Sequence, residues 1–121
     1  MSTIKTETLS TPSNATVPVD TVVNGTAKAW VNFNGDGTVA IRRAFNVASI
    51  TDNGTGNYTV NFTTAMPDAN YSYSLNAFLM VNTAQGNNLF AISATTSALQ
   101  LINRVGDTFV DRDTNNATIF S

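Results

Sequence analysis

The sequence predicts an all-β protein, an antiparallel β-sandwich, and three observations lead to that fold class. Thr, Asn and Ser are abundant, with 19, 16 and 9 copies among 121 residues, and they favour strands and turns. Helix-forming residues are scarce, since the chain has one Glu and two Lys. Short runs that alternate apolar and polar residues recur along the chain, separated by turn residues. This pattern predicts about eight short strands in a sandwich, either of plain antiparallel form or a jelly roll.

The chain has the length of one domain, and its character changes near residue 26. Residues 1–26 are predicted to form an extended N-terminal arm, and residues 27–121 the β-sandwich domain. Pro12 and Pro18 favour extended backbone and argue against a helix in the arm. The arm is expected to become ordered on a neighbouring subunit, and the alternative is a partly disordered leader. The arm residues assigned to a subunit interface are Ile4, Leu9, Val17 and Val22.

The clearest alternation of the sandwich domain lies in two predicted strands. In residues 29–33 every second position is apolar, which places three apolar side chains on one face. In residues 57–63, Tyr58, Val60 and Phe62 alternate with Asn and Thr. Each strand is therefore expected to bury one face in the core and to expose the other. Further strands are predicted at residues 38–41, 45–50, 71–81, 89–94, 99–102, 105–110 and 118–120.

Turns are predicted where Asn, Gly, Asp and Pro cluster. Residues 34–37 read Asn-Gly-Asp-Gly and residues 52–54 read Asp-Asn-Gly, and both favour hairpin turns because Asn and Gly tolerate positive φ. Pro67 is suited to the second position of a further turn. Residues 34–37 also bear a faint likeness to a calcium loop, but they lack its spaced acidic ligands. A hairpin turn is the better interpretation.

The predicted strands at residues 89–94 and 99–102 are apolar on both faces, and Phe78 and Met80 interrupt the polar face of residues 71–81. An outer strand of a small sandwich normally has a polar solvent side. Exposed together, the extra apolar side chains would form a patch that monomers avoid, so burial between identical subunits is predicted. Cover by the N-terminal arm is the alternative. The residues assigned to this second part of the interface are Phe78, Met80, Phe90 and Ile92.

The sequence offers few groups for catalysis. His and Cys are both absent, which removes the commonest general base and the best nucleophile. Glu7 is the only glutamate and lies in the arm, and Asp111 and Asp113 are best interpreted as part of a solvated turn. We expect no enzyme, and we assign no catalytic residue, no cofactor and no metal site. The alternative, a glycan-cleaving enzyme, would have to use carboxylates such as Asp111.

Charge and hydropathy exclude two kinds of partner. The formal net charge is −2, and Arg42-Arg43 is the only basic doublet, so a nucleic-acid partner is not expected. No apolar run approaches the length of a membrane span, and no basic and apolar leader precedes the arm. We therefore expect a protein that is soluble in the cytoplasm where it is made and that has no membrane partner.

Polar strand faces together with aromatic residues suggest carbohydrate as another partner. Rings stack on sugars while amides and carboxylates bind the hydroxyl groups. The aromatic residues considered for this role are Trp30, Tyr58, Tyr71 and Tyr73. Core packing is the alternative for all of them, and it is the better interpretation for Tyr58 because its in-register neighbours are apolar.

A run of about 45 of the 121 positions resembles a module of bacteriophage virion proteins, notably tail-fibre-like proteins of phages that infect cyanobacteria and other aquatic bacteria. The leader MSTIK at residues 1–5 also resembles the start of such proteins. The matching runs are KAWVNFNG at 28–35, GTVAIR at 37–42, SITDNGTG at 49–56, YTVNFTTAMP at 58–67 and DANY at 68–71.

The resemblance implies a β-rich, trimeric, non-enzymatic virion component, assembled in the host cytoplasm. Fibres usually carry a long shaft upstream of this module, whereas only the 26-residue arm precedes it in this sequence. A homotrimeric capsid decoration (cement) protein, with arms that tie subunits together and other virion proteins as partners, is therefore the first expectation. A short tail fibre or fibre tip that binds host surface glycan is the second.

Overall fold

The structure confirms the prediction of an antiparallel all-β fold. It is a computed structural model that describes residues 3–78 and 89–121. Within these residues the chain forms eleven strands and one short helix. The elements are β1 (Thr8–Ser10), β2 (Thr16–Pro18), α1 (Val19–Gly25), β3 (Ala29–Asn34), β4 (Ala40–Phe45), β5 (Val47–Gly54), β6 (Asn57–Phe62), β7 (Ser72–Phe78), β8 (Leu89–Ala94), β9 (Ala98–Val105), β10 (Thr108–Phe109) and β11 (Thr114–Phe120).

The strands from β3 onward form two antiparallel sheets that face each other. The four-stranded sheet has the order β4-β3-β11-β7, so the C-terminal strand lies between β3 and β7. The five-stranded sheet has the order β10-β9-β6-β5, and β8 also pairs with β9. Each sheet thus contains strands that are distant in sequence, which ties the two halves of the domain together.

The core lies between the two sheets, as the alternation predicts. The buried positions of β3 and β6 are the apolar residues of each pattern, and Asn and Thr alternate with them on β6. The rings of Phe33 and Tyr58 meet edge to face across the sheets, with centroids 5.3 Å apart. The buried apolar cluster comprises Ala29, Val31, Phe33, Tyr58, Val60, Phe62, Met66, Tyr71, Ala77, Leu89, Leu99, Leu101, Ala117 and Ile119.

The chain passes from one sheet to the other at Asn46. This residue has a φ of 56°, a conformation that Asn adopts more readily than most residues. Its side chain holds the corner, because Nδ2 donates to Lys28 O at 3.0 Å and to Thr64 O at 3.1 Å. The Thr64 N–H in turn donates to Asn46 Oδ1 at 2.7 Å. β4 and β5 are therefore consecutive in sequence but belong to different sheets.

The hairpin turn predicted at residues 52–54 is displaced. β5 continues through Gly54, and the turn falls at Thr55 and Gly56. The register between β5 and β6 shifts between Asp52 and Gly54. The Asp-Asn-Gly sequence therefore forms an irregular part of strand β5 and not the turn. Gly56 supplies the positive φ that the turn needs, at 62°.

The N-terminal arm contains a hairpin and a helix. β1 and β2 pair antiparallel, which agrees with the predicted extended backbone, but α1 follows directly and corrects the expectation that no helix forms here. Pro18 precedes the first helical residue, with φ −59° and ψ 139°. A proline at that position removes no intrahelical hydrogen bond, because the first N–H groups of a helix have no partner within it.

Candidate functional site

The residues predicted to form a subunit interface lie in three separate places. Those of the arm lie on β1, β2 and α1 and in the segment before them. Phe78 ends β7 in the four-stranded sheet, whereas Phe90 and Ile92 lie on β8 in the five-stranded sheet. Met80 lies outside the described residues. Phe78 thus belongs to a different sheet from Phe90 and Ile92, and their joint part in one subunit interface stays a prediction.

The arm hairpin presents apolar side chains that are exposed or only partly buried. Leu9 and Val17 are direct cross-strand partners, so they lie on one face of the hairpin. Leu9 is 47% exposed and Ile4, before the hairpin, is 92% exposed. A groove beside the pair is lined by Leu9, Ser10, Thr11, Ala15, Thr16 and Val17, all of them arm residues. Three of the four predicted arm residues are thus placed on the hairpin or just before it, uncovered or only partly covered.

Helix α1 contacts the sandwich domain at its C-terminal end. The Lys28 ammonium group donates to the carbonyls of Val23 and Thr26, which suits a cation near a helix C-terminus. Val23 also borders a groove with Met66 and Pro67 of the sandwich. The helix buries none of its residues, and Val22, the fourth predicted arm residue, is exposed. The helix therefore adds apolar surface to the arm.

β8 exposes a second apolar surface on the outside of the five-stranded sheet. Phe90 is 46% exposed and Ile92 is 52% exposed, while their neighbours Leu89 and Ala91 pack on the core. The Arg104 guanidinium lies over the Phe90 ring, 5.5 Å from its centroid. The prediction that β8 is apolar on both faces is thus confirmed, although its role in a subunit interface stays a prediction.

The outer face of the four-stranded sheet, which points away from the core, carries aromatic, amide and guanidinium groups. Trp30 and Phe45 are cross-strand partners and both are exposed. Of the tyrosines considered for sugar binding, Tyr58 and Tyr71 are buried in the core and Tyr73 is partly exposed. The residues of this outer face are Trp30, Asn32, Asn34, Arg42, Arg43, Phe45, Ser72, Ser74, Asn76, Phe78, Thr114, Asn116, Thr118 and Phe120.

A buried polar cluster joins the two sheets at one end of the sandwich. Tyr58 Oη lies 2.6 Å from Asp111 Oδ1 and 2.7 Å from Gly35 O. The Gly56 N–H donates to the same Asp111 oxygen at 2.8 Å. Burial, followed by the neighbouring Asp111 carboxylate, raises the pKa of Tyr58 far above its ordinary value, so its hydroxyl remains a donor at working pH. The interpretation of Asp111 as part of a solvated turn is therefore wrong.

The same cluster continues through two buried asparagines. Asn103 Nδ2 donates to Asn115 Oδ1 at 2.6 Å, and Asn115 Nδ2 donates to Arg112 O at 2.9 Å. The Gly35 N–H also donates to Arg112 O, at 2.9 Å. Arg112 is 2% exposed, and its Nε and Nη2 atoms have no hydrogen-bond partner within the described residues. Sequence patterns gave no signal for this cluster, because its members are isolated polar residues from distant strands and loops.

The described residues offer no grouping that would hold a metal ion. Within residues 3–78 and 89–121, no three His, Cys, Asp or Glu side chains are close enough to do so. Helix α1 is seven residues long, and no helix among the described residues has the length and apolar character of a membrane span. The candidate sites of this chain are therefore surfaces for contact with partners, namely the N-terminal arm and the outer faces of the two sheets.

Comparison of the chain with protein-family models, with curated proteins and with solved structures finds no match. The class of protein that the structure defines is an antiparallel all-β sandwich with an uncovered N-terminal arm. Function is therefore argued from the surfaces of this chain.

Proposed function

We propose that the protein is a non-enzymatic structural component of a bacteriophage virion, a homotrimeric decoration protein that sits on the capsid. In this role the sandwich lies on the shell, and the N-terminal arm contacts a neighbouring subunit or the capsid. The resemblance of residues 28–71 to phage virion proteins supports the setting and the trimer. The state of the arm supports the mode of assembly.

The observation that carries the proposal is the uncovered arm hairpin. β1 and β2 have only three residues each, and an isolated two-stranded hairpin is marginally stable in water. Of its paired apolar residues, Leu9 is 47% exposed and Val17 is only partly buried. Burial of a Leu or Val side chain contributes about 1.5–3 kcal/mol, so a second surface over this pair would stabilise both the hairpin and the assembly.

The exposed apolar side chains of β8 support the same proposal. Phe90 and Ile92 lie side by side on an outer strand of the described five-stranded sheet. Contact with the shell or with another subunit would remove them from water. The arm and β8 thus provide two contacts, which suits a protein held on a lattice by several weak interactions that act together.

The second candidate function is a short fibre or fibre tip that binds host surface glycan. The specific observation in its favour is the exposed Trp30–Phe45 pair, which lies beside amide side chains on the outer face of the four-stranded sheet.

The location of the protein on the virion distinguishes these two functions. Immunogold labelling, or imaging of the particle at moderate resolution, should find copies spread over the shell in groups of three. Copies confined to the tail would contradict decoration and favour the fibre. Absence from purified virions would contradict both.

Removal of the arm tests the proposed mode of attachment. A chain that begins at residue 27 should keep the sandwich but bind weakly to capsids that lack the protein. Capsid binding is measured by co-sedimentation, with circular dichroism as the check that the shortened chain is folded. Full attachment of a folded, arm-less chain would contradict the role given to the arm.

A further inference from the structure

The outer face of the four-stranded sheet carries two adjacent arginines because β4 contains a β-bulge. Asn32 pairs with Arg43 and Phe33 pairs with Ile41, so Arg42 is an extra residue opposite that step. In a regular strand two successive side chains point to opposite faces. A bulge re-aims one of them, and here the Arg42 Nη1 atom lies 3.3 Å from Asn32 Oδ1 and 3.4 Å from Thr114 Oγ1. Both guanidinium groups are therefore on the outer face.

This face is cationic although the protein is acidic. The formal net charge of the chain is −2. The strands β3, β4, β7 and β11 contain two arginines and no Asp or Glu. The acidic residues that flank these strands lie beyond the strand ends: Asp36 is in the connection between β3 and β4, and Asp113 directly precedes β11. The outer face is thus complementary in charge to an anion, in contrast to the protein as a whole.

An exposed aromatic pair lies next to the arginines. Trp30 and Phe45 are cross-strand partners, one pair along from Asn32 and Arg43 on the same face. Trp30 is 36% exposed and Phe45 is 54% exposed. Residues two apart on a strand are separated by about 6.8 Å, which is close to the width of one sugar ring. A ring stacked on the aromatic pair would place its substituents near Arg43.

A row of amides crosses the sheet beside these groups. Asn116 pairs with Asn32 on one side and with Asn76 on the other. The Asn32 Nδ2 atom donates to Asn116 Oδ1 at 2.6 Å, which fixes both side chains. Phe78 and Arg42 border a shallow groove with Asn32 and Thr114 at the next step. The face therefore combines aromatic surface, neutral hydrogen-bonding groups and two cations.

We propose that the outer face of the four-stranded sheet binds an acidic polysaccharide, carrying carboxylate or sulfate groups. The Trp30–Phe45 pair stacks on a sugar ring, the amide row binds hydroxyl groups, and Arg42 and Arg43 bind the acidic groups. A guanidinium suits this task because it binds a carboxylate or sulfate with two parallel hydrogen bonds. The proposal holds wherever the protein lies on the virion, since it concerns a face that neither the arm nor β8 occupies.

The sparse charge of the face favours a saccharide over a nucleic acid. Nucleic-acid binding usually depends on several phosphate contacts, because phosphate charges are closely spaced. Two arginines are enough to bind an acidic group of a polysaccharide, whereas they would neutralise few of the phosphates of a nucleic acid. The amides add groups that recognise hydroxyls, in which a sugar chain is rich.

Trp30 makes the test direct, because it is the only tryptophan of the chain. The full-length protein is titrated with a guluronate hexasaccharide, a heparin-derived hexasaccharide, neutral maltohexaose and a fifteen-residue oligothymidylate, and tryptophan fluorescence is recorded. At least one acidic hexasaccharide should change the fluorescence saturably, with affinity that falls as salt is raised. Maltohexaose should bind at least tenfold more weakly than that hexasaccharide.

Two variants locate the binding to this face. The double variant Arg42→Gln/Arg43→Gln should lose at least tenfold in affinity for the acidic hexasaccharide. The matched control is Arg104→Gln, which removes an exposed arginine from the other sheet and should bind as the unmodified protein does. Calorimetry with Trp30→Ala, which fluorescence cannot follow, should show a comparable loss, and thermal melting should show that all three variants are folded.

Several results would overturn the proposal. They are no saturable fluorescence change with either acidic hexasaccharide at millimolar concentration, equal affinity for maltohexaose, or undiminished binding by the Arg42→Gln/Arg43→Gln variant. Tighter binding of the oligothymidylate would assign the face to nucleic acid. Dissociation of the assembly by the double arginine variant would assign the face to contacts between copies.

Discussion

The polar cluster around Tyr58 and the N-terminal arm differ in how completely their side chains are covered. In the cluster, one hydroxyl, one carboxylate and several backbone groups from distant strands bind each other. In the arm, Leu9 and Val17 pair on a hairpin where Leu9 is half exposed and Val17 is only partly buried. The difference suggests a division of roles, in which the sandwich is stable by itself and the arm acts in assembly. Changes at the first place should alter folding, and changes at the second should alter association.

The largest effect on stability is expected from Gly56→Ala. Gly56 has a φ of +62°, and an added Cβ would lie 2.6 Å from the carbonyl oxygens of Asn103 and Val110. Backbone must move to accommodate it, which should lower the free energy of unfolding by roughly 3 kcal/mol or more. Urea denaturation followed by circular dichroism measures this change.

Gly37→Ala is the matched control for Gly56→Ala. Gly37 has a similar φ of +66°, but nothing lies within 4 Å of its added Cβ. Only the cost of the backbone conformation applies, so a loss of about 1 kcal/mol is expected. Equal losses for the two variants would show that the cluster is not tightly packed around Gly56.

Tyr58→Phe should have the next largest effect. It removes the hydroxyl between Asp111 and Gly35 and leaves buried acceptors without that donor. The expected loss is about 1–3 kcal/mol. Tyr73→Phe, at a partly exposed ring, should change the free energy of unfolding by less than about 0.5 kcal/mol. A loss below that value for Tyr58→Phe would argue against the cluster as a stabilising element.

Alkaline pH should weaken the sandwich through the same tyrosine. The folded state raises the pKa of Tyr58, so above its ordinary value near 10 the unfolded chain releases a proton that the folded chain keeps. The stabilisation is fully present below pH 10 and is lost as pH rises further, by up to about 1.4 kcal/mol per pH unit from this group. Burial also raises the pKa of Tyr71, which adds to the slope. The free energy of unfolding, measured by urea denaturation between pH 9 and 11, should fall less steeply with pH for Tyr58→Phe than for the unmodified protein.

The smallest effect on stability is expected from Leu9→Ser in the arm. Leu9 is half exposed and does not belong to the buried apolar cluster, so the melting temperature of the sandwich should stay almost unchanged at low protein concentration. Calorimetry at a concentration where the chain is monomeric is the appropriate measurement. A marked drop in melting temperature would mean that the arm stabilises its own sandwich, and the division of roles would fail.

The parts of the fold that could be predicted are those set by neighbours in sequence. The faces of β3 and β6 follow from alternation, since a period of two buries one side of a strand whatever its partners are. The sequence does not predict helix α1, because a proline normally argues against a helix, although a proline just before the first helical residue is compatible with one. The shift of the turn from residues 52–54 depends on the register between β5 and β6, which local residue types do not determine.

The candidate sites depended even more on distant contacts. The exposure of Phe90 and Ile92 could be predicted, because both faces of their strand are apolar in sequence. The separation of Phe78 from them could not, since it depends on the sheet to which each strand belongs. Arg42 and Arg43 share a face only because of a bulge in the pairing with β3, and Asp111 is held by groups more than fifty residues away.

The most direct test of the central claim is sedimentation velocity on the full-length protein and on Leu9→Ser/Val17→Ser. The control is Thr16→Ser, which alters the neighbouring position on the opposite face of the hairpin. The account predicts trimers for the unmodified and control proteins at micromolar concentration, and a folded monomer with an unchanged sandwich for the double variant. A monomeric unmodified protein, or a double variant that remains a full trimer, would contradict the claim that the arm holds the assembly together.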